Sequence, residues 1–247
     1  MEVGTLQKEL GIPEFYAYHM GMIQEVYTRA LGVPPERLRF LEKGGDEKAF
    51  YNKLHMDIEV DVESWGGFKE VGGLHYRGDY DLSSHTRGSN QDLSVSVGGK
   101  RIMPNVLELS FGVDRNIWAM LDLFYIKEGE RTVLKLKPWL APFTAAVFQL
   151  QKDEKLQLEA EKALAALRLA GLRVFADNSG SIGRRYARMD DVGTPFCITV
   201  DFDSVDASSP NFGTVTVRDR DTKAQERVSV SRIAEFVASK SKPPLRP

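Results

Sequence analysis

The stretch LHMDIEVDVES, residues 54 to 64, sets Met56, Ile58, Val60 and Val62 alternately with His55, Asp57, Glu59, Asp61 and Glu63. A period of two predicts a strand with one apolar and one acidic face. The acidic face reads either as a solvated sheet surface or as a place for a cation. In PNVLELSFGVDRNIWAML, residues 104 to 121, Leu107, Leu109 and Phe111 fall on one side of a strand and Val106, Glu108 and Ser110 on the other. Gly112 breaks that strand, Asp114 can cap, and Ile117, Met120, Leu121 and Phe124 recur at helical spacing behind it. Residues 14 to 31 predict a helix with Phe15, Tyr18, Met22 and Val26 near one side, stopping at Gly32 and Pro34. FKEVGGLHY alternates like a strand interrupted by Gly72 and Gly73, which marks a bulge or a close approach by other atoms. A hairpin turn is expected at Gly98 and Gly99. Antiparallel strands flanked by helices make the first half an α+β domain.

From Pro138 the rhythm changes. WLAPFTAAVFQL, a helix from about Asp153 to Ala170, LRVFADN, a helix near SIGRRYARMDDVG, and PFCITVDF alternate strand and helix. That order predicts a βαβαβ unit and a largely parallel sheet. GTVTVRDRDT and ERVSV add strands, SRIAEFVASK a closing helix, and SKPPLRP a disordered tail. The charged, proline-terminated segment KEGERTVLKLKP at residues 127 to 138 is the expected boundary, dividing the chain into domains 1–137 and 138–247.

Composition narrows the class. With 247 residues, 42% apolar and 28% charged, the chain is that of a globular protein, not a disordered or fibrous one. The lone Cys197 lies in PFCITVD, so it reads as a core thiol in a reducing compartment. No run approaches about 18 apolar residues. The amino terminus MEVGTLQKEL has neither the basic nor the apolar region of a leader, so a cytoplasmic protein without a membrane span is expected. Residues 1–137 carry 17 basic and 21 acidic side chains, and residues 138–247 carry 16 and 14. The second half is thus slightly basic. His19, His55, His75 and His85 have no metal-ligand spacing, so no metal site is expected. GSIG at residues 180 to 183 lacks the lysine of a phosphate loop and reads as a helix start.

Two clusters suggest chemistry. A strand, a glycine and a helix amino terminus form an anion platform, because free backbone N–H groups and the helix dipole favour a phosphate there. Arg115, in the first turn, could stack on a base or pair with phosphate oxygens, or simply form a structural ion pair. In SIGRRYARMDD, Arg184, Arg185 and Arg188 accompany Tyr186, the mixture of charge and stacking surface that single-stranded RNA favours. Some of these arginines should pair with Asp177, Asp190 or Asp191.

PNVLELSFGVDR resembles the third signature motif of class II aminoacyl-tRNA synthetases. FKEVGGLHYRGDYDLSSH, FADNSGSIGRRYARMDDVGTPFCITVDFD and GTVTVRDRDT are similar, in the same order, to glycyl-tRNA synthetases of the archaeal and eukaryotic type. The resemblance implies the carboxy-terminal part of a class II catalytic domain, built on an antiparallel sheet, followed by an α/β anticodon-binding domain. It implies a glycine site at Glu108, Leu109 (through its backbone), Ser110 and Glu70, and an ATP site at Glu70, Val71 and Arg115. Contacts to tRNA would come from Arg184, Arg185, Tyr186 and Arg188. ATP and Mg would be the cofactors, glycine and tRNA-Gly the partners, and the complete enzyme a homodimer. The family's first two motifs, the second of which supplies an arginine to the ATP α-phosphate, have no counterpart in this chain. Three readings follow: a ligase whose site this chain half supplies, a tRNA-binding module without chemistry, or an accessory subunit of another nucleic-acid machine.

Overall fold

The computed structural model describes residues 3–244; the last three residues of the expected disordered tail lie outside it. The chain divides into two compact units between Leu123 and Phe124. Among the described residues no helix is long and apolar enough to cross a membrane.

The first unit contains helix α1 (Val3–Leu10), α2 (Glu14–Glu25), strand β1 (Leu38–Glu42), β2 (Leu54–Val62), β3 (Gly67–Gly78), α3 (Tyr80–Ser89), a small hairpin of β4 (Val95–Val97) and β5 (Lys100–Ile102), β6 (Val106–Phe111) and α4 (Val113–Phe124). The main sheet is antiparallel in the order β1-β2-β3-β6. The hairpin turn falls where the two glycines predict it, with Gly98 and Gly99 at φ 58° and 78°.

Alternation along β2 sends Met56, Ile58, Val60 and Val62 into the core. α2 and the π turn that continues it, Val26–Leu31, cover them with Tyr16, Met20, Ile23 and Tyr27. This is not the side the sequence suggested, because Phe15, Tyr18, Met22 and Val26 are exposed. Two regular apolar stripes compete on this helix, and the tyrosine hydroxyls decide between them. Tyr16 Oη donates to Leu74 O at 2.8 Å and Tyr27 Oη to Asn116 Oδ1 at 2.7 Å, so both rings are buried with their polar tips satisfied.

The acidic face of β2 is not solvated either. Asp57 and Glu59 are buried, held by Lys43 Nζ at 2.9 Å and Arg39 Nε at 2.6 Å. β1, which supplies Arg39, was not visible in the pattern; it pairs beside β2 at the edge of the sheet and sets Arg39 directly across from Glu59.

The second unit opens with a hairpin, β7 (Tyr125–Glu128) and β8 (Arg131–Leu134). It continues with β9 (Ala145–Gln149), α5 (Glu154–Leu169), β10 (Val174–Ala176), α6 (Ile182–Val192), β11 (Phe196–Val200), α7 (Phe202–Val205), β12 (Thr214–Asp219), β13 (Gln225–Ser229) and α8 (Ile233–Lys240). The sheet order is β10-β9-β11-β12-β13, with β9, β10 and β11 parallel and the last two strands antiparallel. Central β9 and β11 are buried throughout, which is why they read as unbroken apolar runs. α5 and α8 cover one face through Leu156, Ala163, Leu167, Ile233 and Val237. α6 covers the other through Met189, against Ala146, Phe148 and Cys197. Burial pushes the Cys197 thiol up to about 12, as suits a core side chain.

The expected boundary segment is part of this unit, and the division falls earlier than residue 137. Arg131 explains why: its guanidinium donates from Nε to Asp190 at 2.8 Å, from Nη1 to Glu128 at 2.8 Å and from Nη2 to Arg220 O at 2.6 Å. Arg220 is itself buried and donates to Leu134 O, Leu136 O and Gly193 O. A charged run that reads as a linker is thus fastened to the sheet by two guanidinium groups, partly buried Arg131 and fully buried Arg220.

Candidate functional site

The expected glycine residues lie on the polar face of the first unit's sheet, where register groups them. Asp57 pairs with Gly73 and Gly73 with Ser110; two residues along, His55 pairs with His75 and His75 with Glu108. Leu109 projects from the opposite face, so only its backbone can belong to this floor. The two glycines matter here for different reasons. A Cβ on Gly73 would meet His75 Nε2 at 2.5 Å and Ser110 Oγ at 3.3 Å, whereas one on Gly72 would meet Ser110 O at 2.6 Å. Between them and Glu70 the register slips by one residue at Val71, the bulge that glycines in a strand announced.

His75 organises the floor. Asn52 Nδ2 donates to its Nδ1 at 3.2 Å, which leaves Nε2 as the protonated nitrogen, 3.5 Å from Ser110 Oγ. Burial, and then the neighbouring His55 ring, pushes its pKa below the ordinary histidine value. The two rings lie 4.2 Å apart, and His55 Nε2 is 3.1 Å from Asp57 Oδ1. Asn52 Oδ1 and His55 Nδ1 are buried without a partner, so the network keeps acceptors for a donor-rich ligand.

Arg77 completes it. Its Nη2 pairs with Glu108 Oε2, its Nη1 lies 3.5 Å from Asp81, and its guanidinium sits 4.7 Å from the centre of the Tyr51 ring. The sequence reading missed Arg77, His75 and Asn52. Period two along β3 places Gly73, His75 and Arg77 on the face of Glu108, and that was the available signal.

The expected nucleotide residues meet beside this floor. Arg115 Nη1 donates to Glu70 O at 2.9 Å and to Glu70 Oε2 at 3.2 Å, both side chains being about half exposed. Val71 is buried, and its carbonyl accepts from Gly112 N at 2.9 Å and Asn116 Nδ2 at 2.8 Å, fixing the start of α4 against the bulge. A cleft of about 530 Å³ is lined by Lys43, Asp57, Glu59, Phe68, Glu70 and Arg115, among others. It offers cations for phosphate oxygens and aromatic surface for a base, and it adjoins the floor through Asp57. Among the described residues no three His, Cys, Asp or Glu side chains gather as a metal site.

In the second unit the four expected RNA residues separate. Arg184 is exposed and makes no ion pair among the described residues. Arg188 is bound to Asp177 and to Ser179 O. Burial alone would raise Asp177, but the Ser179 amide and Arg188 hold it below the usual carboxylate range. Tyr186 lies against Phe148, and its Oη is 2.7 Å from Thr199 Oγ1. Arg185 is buried, donating to Gln149 O at 2.5 Å, Gly180 O at 2.9 Å and Asn178 O at 3.4 Å, so the structure gives it a scaffolding part. A pocket of about 310 Å³ opens at the carboxy ends of β9 and β10, lined by Gln149, Gln157, Glu161, Asp177 and Asn178 together with apolar side chains. Buried Gln149 Oε1 has no partner there.

Residues 144–240 match the family model described as anticodon binding domain, so the second unit is a domain of that class. The wider relationship is to glycine–tRNA ligases. The chain is 39% identical over 237 residues to that of Bifidobacterium longum, covering 88% of this chain and 47% of the relative. It is 37% identical over 242 residues to that of Cutibacterium acnes, covering 92% and 49%, and 40% identical over 227 residues to that of Streptomyces coelicolor, covering 87% and 48%. The chain spans about half the length of the curated relatives it matches, and the matched part is their carboxy-terminal portion.

Proposed function

We propose that this chain supplies the carboxy-terminal half of a cytoplasmic glycine–tRNA ligase, holding glycine on the sheet floor and ATP in the adjoining cleft, and gripping tRNA through the second unit. The observation that carries this reading is the convergence of Glu108, Ser110, His75 and Arg77 on one sheet face, in a chain related along most of its length to glycine–tRNA ligases.

Glycine brings an ammonium with three donors. Glu108 meets it with Oε1, since Arg77 engages only Oε2, and the unpartnered acceptors Asn52 Oδ1 and His55 Nδ1 lie in the same network. Selection against larger amino acids would rest on steric exclusion, since glycine is defined by the side chain it lacks. Arg115 leaves Glu70 for the nucleotide at small cost, because an ion pair between half-exposed groups is worth about 0–1 kcal/mol. Mg²⁺ would arrive on the triphosphate, held mainly by phosphate oxygens, with the cross-strand carboxylates Glu59 and Glu70 beside it. In the second unit, exposed Arg184 offers charge to the RNA backbone, and the amide-lined pocket beside Gln149 fits the edge of an unstacked base.

The test is glycine-dependent ATP–pyrophosphate exchange together with filter binding of tRNA, using the chain alone and with the amino-terminal half of a ligase supplied. Salt-sensitive tRNA binding by the chain alone, and exchange on addition of the other half, are expected. Absence of both overturns the reading.

A further inference from the structure

His55 and His75 lie ring to ring in the floor beside Glu108 and Ser110, with centres 4.2 Å apart. The His75 ring leans across Gly73, so that a Cβ there would meet its Nε2 at 2.5 Å, and the same nitrogen is 3.5 Å from Ser110 Oγ. At the other end of the ring, Nδ1 accepts from Asn52 Nδ2 at 3.2 Å. His75 thus joins a buried amide to the hydroxyl that the glycine reading uses.

Charged groups face this ring from every element around it. β2 supplies Asp57, which is held by Lys43 at 2.9 Å and lies 3.1 Å from His55 Nε2. β6 supplies Glu108, and β3 itself supplies Arg77, which pairs with Glu108 and lies 3.5 Å from Asp81 of α3. Lys53, next to Asn52, turns to Asp79 at 3.8 Å. Each carboxylate already has a cation, so a proton on His75 adds a positive charge that none of them is free to cancel. Burial, then His55 and Arg77, disfavour that proton more than Glu108 and Asp57 favour it, which holds His75 below the ordinary histidine value. One acceptor is available to the protonated ring: buried Asn52 Oδ1 has no partner, and a turn of the amide would bring it to Nδ1–H.

We propose that His75 is a positioning residue of the glycine site and makes that site proton-sensitive. Neutral, it steadies Ser110 through Nε2 and leaves Glu108 Oε1 to the ammonium of glycine. Protonated, it sets a second cation beside that ammonium, turns Asn52 over and expels the ligand. The inference rests on the proposed ligase reading and names how glycine binding at that site responds to pH.

Glycine-dependent ATP–pyrophosphate exchange by the full chain, with the amino-terminal half of a ligase supplied, tests it between pH 7.5 and pH 5. The KM for glycine should rise roughly threefold or more as pH falls below about 6.5, with the slope of a single proton. His75→Gln should abolish the rise and leave the pH dependence of the KM for ATP as in the parent. Asn52→Asp sets a carboxylate against Nδ1, favours the imidazolium and should move the rise to higher pH by roughly one unit or more. It decides the matter should His75→Gln fail to fold, which circular dichroism at each pH detects. His85→Gln, exposed on α3, should keep the parent profile. Nitrogen-15 spectra of the histidine rings in the chain alone should show His75 neutral at pH 7.5, with its proton on Nε2. A ring already charged at that pH overturns the proposal. So does a glycine KM that stays flat with pH, a rise that survives His75→Gln, or an Asn52→Asp profile that coincides with the parent's. Absence of exchange by the parent at every pH instead fails the ligase reading, and the proposal with it.

Discussion

Arg115 grips Glu70 twice, through the main-chain oxygen and through the carboxylate, across the mouth of the cleft beside the bulge at Val71. Both groups face solvent, so the pair contributes little to folding. Arg115→Ala should lower unfolding free energy by no more than about 1 kcal/mol. In the assembly with the amino-terminal half supplied, it should raise the KM for ATP or lower kcat by roughly tenfold or more, as removal of a charged hydrogen bond does. Thermal unfolding of the chain and ATP-dependent exchange of the assembly separate the two effects. A large drop in stability with unchanged kinetics would make the arginine structural.

The glycines of the first unit should respond unequally to alanine. At Gly72 the new Cβ meets Ser110 O at 2.6 Å, and a paired strand backbone cannot yield, so a cost of about 1–3 kcal/mol is expected. Gly88, inside α3, has open space around its missing Cβ and no positive φ. Gly88→Ala should therefore stabilise by about 0.4–1 kcal/mol, through helix propensity and a less free unfolded chain. Chemical denaturation of the three proteins reads both signs.

His75 should give the first unit a pH dependence. Burial and the nearby His55 ring lower its folded pKa below 6.5, while Glu108 and Asp57 pull the other way and Arg77 reinforces the shift. A group that protonates more readily when unfolded contributes fully above about pH 6.5, and that contribution is lost as pH falls through the folded value. His75→Gln keeps a polar side chain but cannot titrate. The stability difference between parent and variant should shrink from pH 7.5 to pH 5, and a difference constant across that range would remove His75 as the source.

Much of this fold was legible because its strongest patterns are long and regular. β2, β6 and the βαβαβ order of the second unit follow from period-two strands, unbroken apolar runs and the amino-terminal cap of α5, where Asp153 accepts from the amides of Lys155 and Leu156. α3 was not legible, since YDLSSHTRGS is polar, holds a glycine and buries nothing. The wrong side of α2 was chosen because two apolar stripes share the helix, and only the tertiary partners of Tyr16 and Tyr27 distinguish them. At the site, Glu108, Ser110 and Arg115 stand in one continuous segment and could be read there. Asn52, His75 and Arg77 join them only through strand register. Basic residues read as exposed until their acceptors are known, and so Arg185 passed for an RNA-binding residue and the hairpin around Gly129 for a linker.

Arg184 and Arg185 are neighbours in sequence and opposites in environment, which makes them a test of how the second unit meets RNA. Arg184 stands exposed in the first turn of α6, whereas Arg185 is buried with its guanidinium against the carbonyls of Gln149, Asn178 and Gly180. Removing Arg185 leaves three inward-facing carbonyls short of a donor and a cavity where the side chain lay. Arg185→Ala should therefore destabilise the second unit by about 2–4 kcal/mol and impair tRNA binding only as far as folding fails. Arg184→Ala should leave unfolding unchanged within about 0.5 kcal/mol. It should weaken tRNA binding at low salt, and the slope of log affinity against log salt should fall by about one, as expected when one fewer phosphate is neutralised. Filter binding of tRNA between low and moderate salt, beside thermal unfolding of each variant, measures all four quantities. If Arg184→Ala binds with the parent's affinity and salt slope, the exposed end of α6 does not touch RNA, and the proposed part of Arg184 in binding tRNA falls.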